Sequence, residues 1–204
     1  MVNMDRAIDN LQINTYNNRK IVITTKEGTP MRIQLPRMYM PFGVSGFVPE
    51  VGHVKYNIDF AVKGYDEDDS YMKKFYESLR AVEGKIIQAV SEQSDTIFGK
   101  PMTVEELMPM FNSNLKMSPD REPKFRVKVD TDIEGNIKPQ VFDSMKNPVA
   151  KEPIKNGLYA RNSGQAIAEL NSVYFLNKKF GCTWKTHQLV VHEPQNLKGF
   201  QFII

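Results

Sequence analysis

Lys124, Arg126 and Lys128 occupy every second position of the stretch KFRVKVD. On an extended chain successive side chains leave opposite faces. The three cations therefore share one face, and Phe125, Val127 and Val129 share the other. A half-buried strand ordinarily mixes Thr, Gln, Glu and Lys on its wet side. A row of three positive charges instead has the chemistry of a track for a flexible polyanion. Such a track becomes a site for single-stranded nucleic acid when flat rings lie beside it, because phosphates meet the cations and bases stack on the rings. The sequence places further candidates of both kinds after Lys124: Tyr159, Arg161, Tyr174, Lys178, Lys179, Trp184 and Lys185. Lys20, Arg32, Arg37, Tyr39 and Phe42 add to them from the N-terminal quarter.

Several of these residues fit a second role. Tyr159 and Tyr174 suit either a barrel wall or a stacking platform, since tyrosine carries an apolar ring and a polar tip. Trp184, the lone tryptophan, suits the core as well as a platform. Phe175 and Phe180 flank Leu176 and read as core. The triplet at 124–128 is the least ambiguous, because strand geometry alone puts its members together.

Constellations for catalysis or metal binding are not seen. His187 and His192 stand five apart on a predicted strand and so face opposite ways. Cys182 is the one cysteine, which leaves no internal disulfide and points to a reducing, intracellular compartment. Neither Gly-x-Gly-x-x-Gly nor a Walker-type loop is present. The acidic run Asp66–Asp69 lacks the alternating spacing of a calcium loop and reads as a helix cap. No cofactor and no enzymatic activity are expected. No apolar run reaches membrane-spanning length, and MVNMDRAIDN has no signal-peptide apolar block, so a membrane is not an expected partner.

The net charge of +3 conceals a segregation. Residues 1–54 carry six Lys/Arg against four Asp/Glu, residues 55–123 nine against thirteen, and residues 124–204 twelve against seven. The last block is where the cation triplet lies, and a segregated basic region suits a polyanionic partner.

The elements that must position these residues are mostly strands. Lys20–Thr25 and Met31–Pro36, joined by Lys26–Pro30, read as a hairpin. Met38–Phe47, rich in aromatics, Pro and Gly, reads as an irregular loop, and Tyr56–Lys63 alternates again. Met72, Phe75, Tyr76, Leu79, Val82, Ile86 and Val90 then recur at steps of three and four, which predicts an amphipathic helix over about Asp69–Gln93. Thr103 and Glu106 form a capping box for a second, short helix that Pro109 ends. Asn112–Pro123 reads as a loop. Strands return at Lys124, at Ile137–Asp143 (an edge strand or a bulge, because of Pro139), at Leu158–Arg161, at Gln165–Leu176 and at Thr183–His192. Strands, one long helix with a satellite, then strands predict a mainly β chain with an inserted helix. That order fits a small barrel or a sandwich, the OB arrangement among the barrels; taken with the resemblance given next, the expected form is an OB-fold-like five-stranded barrel with extra strands, one domain over 1–204 with a helical insertion at about 66–111.

The stretch Asn156–His192 (NGLYARNSGQAIAELNSVYFLNKKFGCTWKTHQLVVH), with KFRVKVD upstream, resembles the C-terminal part of the OB-fold single-stranded DNA-binding proteins of large nucleocytoplasmic DNA viruses and of certain phages. The resemblance lies in the turn at Gly157–Arg161, the strand with Ala166 and Ala168 leading to Val173–Phe175, the turn Asn177–Gly181 with Trp184 and Lys185 beyond, and the last strand at Gln188–Val191. It implies non-sequence-specific single-stranded DNA binding in viral DNA replication, recombination or repair, at the host-cell site where that replication occurs. Lys124, Arg126 and Lys128 would follow the backbone, with Lys178, Lys179 and Lys185 beside them and Tyr159, Tyr174 and Trp184 stacking on bases. Members of that family end in an acidic tail that recruits replication proteins. This chain ends GFQFII, an apolar segment that could add a strand to a second copy and so make a homodimer. The rival expectation is a virion or assembly module that binds no nucleic acid and associates through the long helix and the apolar end.

Overall fold

The computed structural model describes residues 4–50 and 52–193; the apolar end Gly199–Ile204 lies outside the described residues. The chain opens with α1 (Met4–Asp9), β1 (Leu11–Asn17), β2 (Lys20–Thr25), β3 (Met31–Gln34), β4 (Met38–Met40), β5 (Val44–Phe47) and β6 (Lys55–Ala61). Helices α2 (Tyr71–Glu92), α3 (Ser94–Phe98) and α4 (Val104–Leu107) follow, with a single tight turn of helix at Met108–Met110. The chain returns to strands with β7 (Leu115–Ser118), β8 (Arg121–Val129), β9 (Gln140–Phe142), β10 (Asn162–Leu176) and β11 (Lys179–His192).

Five of these strands close a ring, in the order β4, β6, β8, β11, β10 and back to β4. In chain order these are barrel strands one, two, three, five and four. The third and fifth run parallel, meeting at Lys128 and Lys185, and the other pairs are antiparallel. This is the OB arrangement, a five-stranded Greek-key barrel. Two seams of the ring rest on single register pairs, the parallel one at Lys128 and Lys185 and the β4–β6 one at Tyr39 and Ala61.

The alternation read from KFRVKVD is realised. Phe125, Val127 and Val129 are buried, while Lys124, Arg126 and Lys128 lie on the opposite face. Their burial reaches the helix through a relay of rings. Phe75 of α2 meets Phe125 edge-on at 6.1 Å, and Phe125 meets Trp184 at 5.5 Å. Leu79, Val82, Ile86 and Val90 continue that face of α2 into the same core. Each such side chain contributes about 1.5–3 kcal/mol on burial, so the long helix is a wall of the core.

Several sequence expectations are corrected. The residue that caps α2 is Ser70, whose Oγ accepts from Lys73 N at 2.9 Å; within the acidic run, Asp68 instead pairs with Lys73 Nζ at 2.6 Å. Strands β2 and β3 do not make an extended hairpin. They lie one after the other along β10, which also takes β4, so three N-terminal strands dock in turn on one long strand. Met38–Phe47 contains two short strands, and the 112–123 loop contains β7, because β6 and β8 offer edges that those segments pair with. Leu158–Arg161 is a turn, with positive φ at Gly157, Tyr159 and Arg161. The capping box at Thr103 and Glu106 is present as read, and β9 is the edge strand that Pro139 called for.

Candidate nucleic-acid interface

Barrel strands two and three, β6 and β8, present their outer faces side by side. The register sets Asp59 opposite Arg126 and Asn57 opposite Lys128. On one flank β5 pairs with β6 and brings Phe47 opposite Lys55. On the other, β7 pairs with β8 and brings Lys116 opposite Lys124. The end of β10 supplies Tyr174 and Leu176. Between these parts runs an open cleft of about 720 Å³. Among the described residues, its lining includes Lys55, Lys116, Arg126 and Lys128 and no acidic side chain. Phe47 and Leu176, each 62% exposed, belong to the same lining.

Each wall has a local cause. β5 is held out by the turn that had read as a strand: Val44 N donates to Leu158 O at 2.8 Å, Gly157 N to Val44 O at 2.8 Å, and Gly46 N to the Asn156 side-chain oxygen at 2.5 Å. Gly43 must be glycine there, because its φ is +57° and a Cβ would lie 2.2 Å from Leu158 O. The opposite wall is hung on Glu83, buried in α2, which accepts from Ser113 Oγ at 2.6 Å and from Asn114 N at 3.1 Å. Burial pushes the Glu83 carboxyl above its ordinary range, against those bonds and the charge of Arg80.

The cations differ sharply in their partners. Arg126 gives Asp59 two parallel bonds, Nε to Oδ1 and Nη2 to Oδ2, each 2.8 Å. Lys128 Nζ reaches Asp130 at 2.5 Å, and Lys185 reaches the same carboxyl at 3.6 Å. Burial would raise the Asp130 carboxyl, but the bond to Lys128 and the charges of Lys128 and Lys185 outweigh it and hold it low. Lys124 sits 5.1 Å from the centre of the Phe42 ring, a cation–π contact. Among the described residues Lys116 bonds neutral acceptors alone, Asn112 Oδ1 at 2.9 Å and Ser113 O at 2.6 Å. Burial and the neighbouring Arg126 charge push its ammonium below the ordinary lysine range. The uniform track expected from the triplet is thus locally neutralised at two of its three members.

The other expected site residues divide as follows. Tyr174 lines the cleft, its hydroxyl accepting from Asn112 Nδ2 at 3.0 Å. Lys178 and Lys179 are exposed in the tight β10–β11 turn, next to Leu176 at the end of the cleft. Trp184 contributes to the floor but is only 2% exposed; its ring is spent on the core against Phe125 and offers no face to a base. Lys185 lies across the parallel seam, on the wall of a neighbouring cleft. Tyr159 and Arg161 sit on the turn behind β5 and do not line the cleft. Arg32 is paired with Glu169 at 2.8 Å on another part of the barrel. Tyr39 is exposed on β4 in register with Ala61, itself opposite Lys124, so it lies on a continuation of the same face; Arg37 is exposed just before it. Phe47, Lys55, Asn57, Lys116 and Leu176 were not among the expected residues. Phe47 had a usable signal: an aromatic between Gly46 and Pro49, with no periodic apolar neighbours to bury it. Lys116 had none, since its place beside Arg126 depends on a strand that read as a loop.

Fold and cleft together define an OB-type barrel with a cationic, ring-edged face on its second and third strands. Residues 65–201 match the family described as "Family of unknown function (DUF5871)", and the chain belongs to that family. No curated protein matches the sequence. Among solved structures the chain is similar to the single-stranded DNA-binding protein from bacteriophage Enc34 in complex with ssDNA, at 11% identity over 93% of this chain and 98% of that one, with a TM-score of 0.47. It is also similar to gp2.5, a single-stranded DNA binding protein encoded by bacteriophage T7, at 14% identity over 85% and 92% of the two chains, with a TM-score of 0.49.

Proposed function

We propose that this protein binds single-stranded DNA without reading its base order. The observation that carries the reading is the cleft on β6 and β8: among the described residues its lining has four cationic side chains and no acidic one, with exposed Phe47 and Leu176 and half-buried Tyr174 beside them. Oligonucleotide-binding barrels use this face, between the loops that follow strands one and four. Phe47 stands in the first of those loops and Leu176 borders the second. Stacked bases contribute about 1–3 kcal/mol each and every base has a ring face, so stacking is tolerant of sequence. Two of the three asparagine amides in the lining, those of Asn112 and Asn114, are already engaged. Asn114 Nδ2 donates to Arg126 O, and Asn112 joins Tyr174 to Lys116.

The sequence resemblance to viral and phage single-stranded DNA-binding proteins supports DNA as the strand, and viral DNA replication, recombination or repair as the setting. It also supports binding and protection of the strand without chemistry on it, with replication proteins as further partners. The test is fluorescence anisotropy with oligothymidine, mixed-sequence DNA, the corresponding ribo-oligomers and duplex, over a salt series. Single strands of different sequence should bind alike and weaken as salt rises. Preference for duplex, or affinity that ignores salt, would overturn the reading.

A further inference from the structure

We infer that the cleft divides its work between two neighbouring cations: Lys116 holds a backbone phosphate, and Arg126, clamped by Asp59, offers its flat guanidinium face to a base. The inference rests on the function proposed above and assigns the parts within it.

Arg126 is the cation that a sequence reading would give to phosphate, and its geometry argues otherwise. Its Nε and Nη2 are both committed to Asp59, at 2.8 Å each. The Asp59 side chain is 10% exposed, so withdrawing the guanidinium would strand a nearly buried carboxylate, a strongly unfavourable state. The pair carries no net charge, and two of the guanidinium's five N–H donors are spent on it. Yet the Arg126 side chain remains 44% exposed. A planar, weakly hydrated cation held at its edge and open elsewhere is suited to stacking.

Lys116 has the opposite character. Its ammonium has three donors, two of them fixed on neutral oxygens. Among the described residues no acid lies within ion-pair distance of it, whereas Lys128 is held by Asp130. It is half-buried, part of the cleft lining and close enough to Arg126 to feel that charge. A phosphate oxygen would satisfy its remaining donor and supply the anion that the site lacks.

Salt dependence separates the two roles, because each phosphate contact on a single strand adds about 0.7 to the slope of log affinity against log salt concentration. The experiment measures oligothymidine binding by anisotropy for the wild type, Lys116→Gln, the charge-neutral double variant Asp59→Asn/Arg126→Gln, and Arg126→Lys. Lys116→Gln should lower the slope by about 0.7. The double variant should lose about tenfold in affinity, as for one stacked base, with the slope unchanged. Arg126→Lys keeps a charge for Asp59 but loses the plane, and should behave like the double variant; it decides the question should the double variant fail to fold by circular dichroism. A slope that drops in the double variant as in Lys116→Gln, a slope unmoved in Lys116→Gln, or full affinity in Arg126→Lys would overturn the assignment. A wild type that binds no single strand overturns the function itself, an outcome visible before any variant is compared.

Discussion

The ring of Tyr174 lies over the bare Cα of Gly181, its cross-strand partner. A Cβ at Gly181 would stand 2.7 Å from Tyr174 Oη and 2.8 Å from Asn112 O. The absence of a side chain therefore seats the ring and the wall of the cleft at once. Gly181→Val should cost about 1–3 kcal/mol through forced displacement and weaken oligothymidine binding as Tyr174 moves. Thermal melts and anisotropy on the same preparation check this, and an unchanged melting temperature would contradict it.

Phe47 projects from the end of β5 and is mostly exposed, so it contributes little to the core. Phe47→Ala should leave the melting temperature unchanged and lower affinity for single strands by about 1–3 kcal/mol, while Phe47→Trp should retain it. Equal affinity in wild type and Phe47→Ala would remove this residue from the interface.

Lys116 should give binding a distinctive pH profile. Burial and the Arg126 charge place its native ammonium below 10.5, so it loses its proton at a lower pH than an ordinary lysine. Affinity should therefore begin to fall below the usual lysine range. Lys116→Arg, which stays charged throughout, should abolish that early fall. Stability moves the other way. As pH rises through the native value towards 10.5 the native state sheds this proton before the unfolded chain does, which favours the native state. A pH titration of anisotropy beside one of urea midpoints reads both effects.

Glu83 makes the corresponding prediction in acid. Its native carboxyl titrates above 4.5. Between 4.5 and that raised value the native state holds more protons than the unfolded chain, so this group's contribution to stability declines as pH rises through the window. Glu83→Gln keeps an oxygen to accept from Ser113 Oγ and Asn114 N and removes the titration. Its urea midpoints should change less across the window than those of the wild type; parallel curves would show that Glu83 does not titrate there.

Trp184 should behave as a core residue. Its fluorescence should barely respond to saturating oligothymidine, Trp184→Phe should bind normally, and Trp184→Ala should lose about 3–5 kcal/mol of stability. Strong quenching by the oligonucleotide would return it to the interface.

Much of the architecture was legible in the sequence because its causes are local. Period-two alternation in KFRVKVD, the three-and-four spacing from Phe75 to Val90, and the box at Thr103 and Glu106 depend on residues close in the chain. Leu158–Arg161 misled because its apolar content suits a strand, while its left-handed backbone is imposed by docking against β5. Trp184 misled because a lone aromatic carries no mark of which side of a barrel wall it occupies.

By itself the sequence determined that three cations leave one face of β8 together, since that follows from the geometry of an extended backbone. It also determined that a helix with one apolar face is inserted between two runs of strands. Only the tertiary structure decided what those cations are worth. Pairing β6 with β8 sets Asp59 against Arg126, the turn out of β8 brings Asp130 to Lys128, and β7 places Lys116 on neutral acceptors, Asn112 Oδ1 and Ser113 O. Such partners are chosen by strand register across 67 residues of separation between Asp59 and Arg126, and a slip of one residue would reverse every facing.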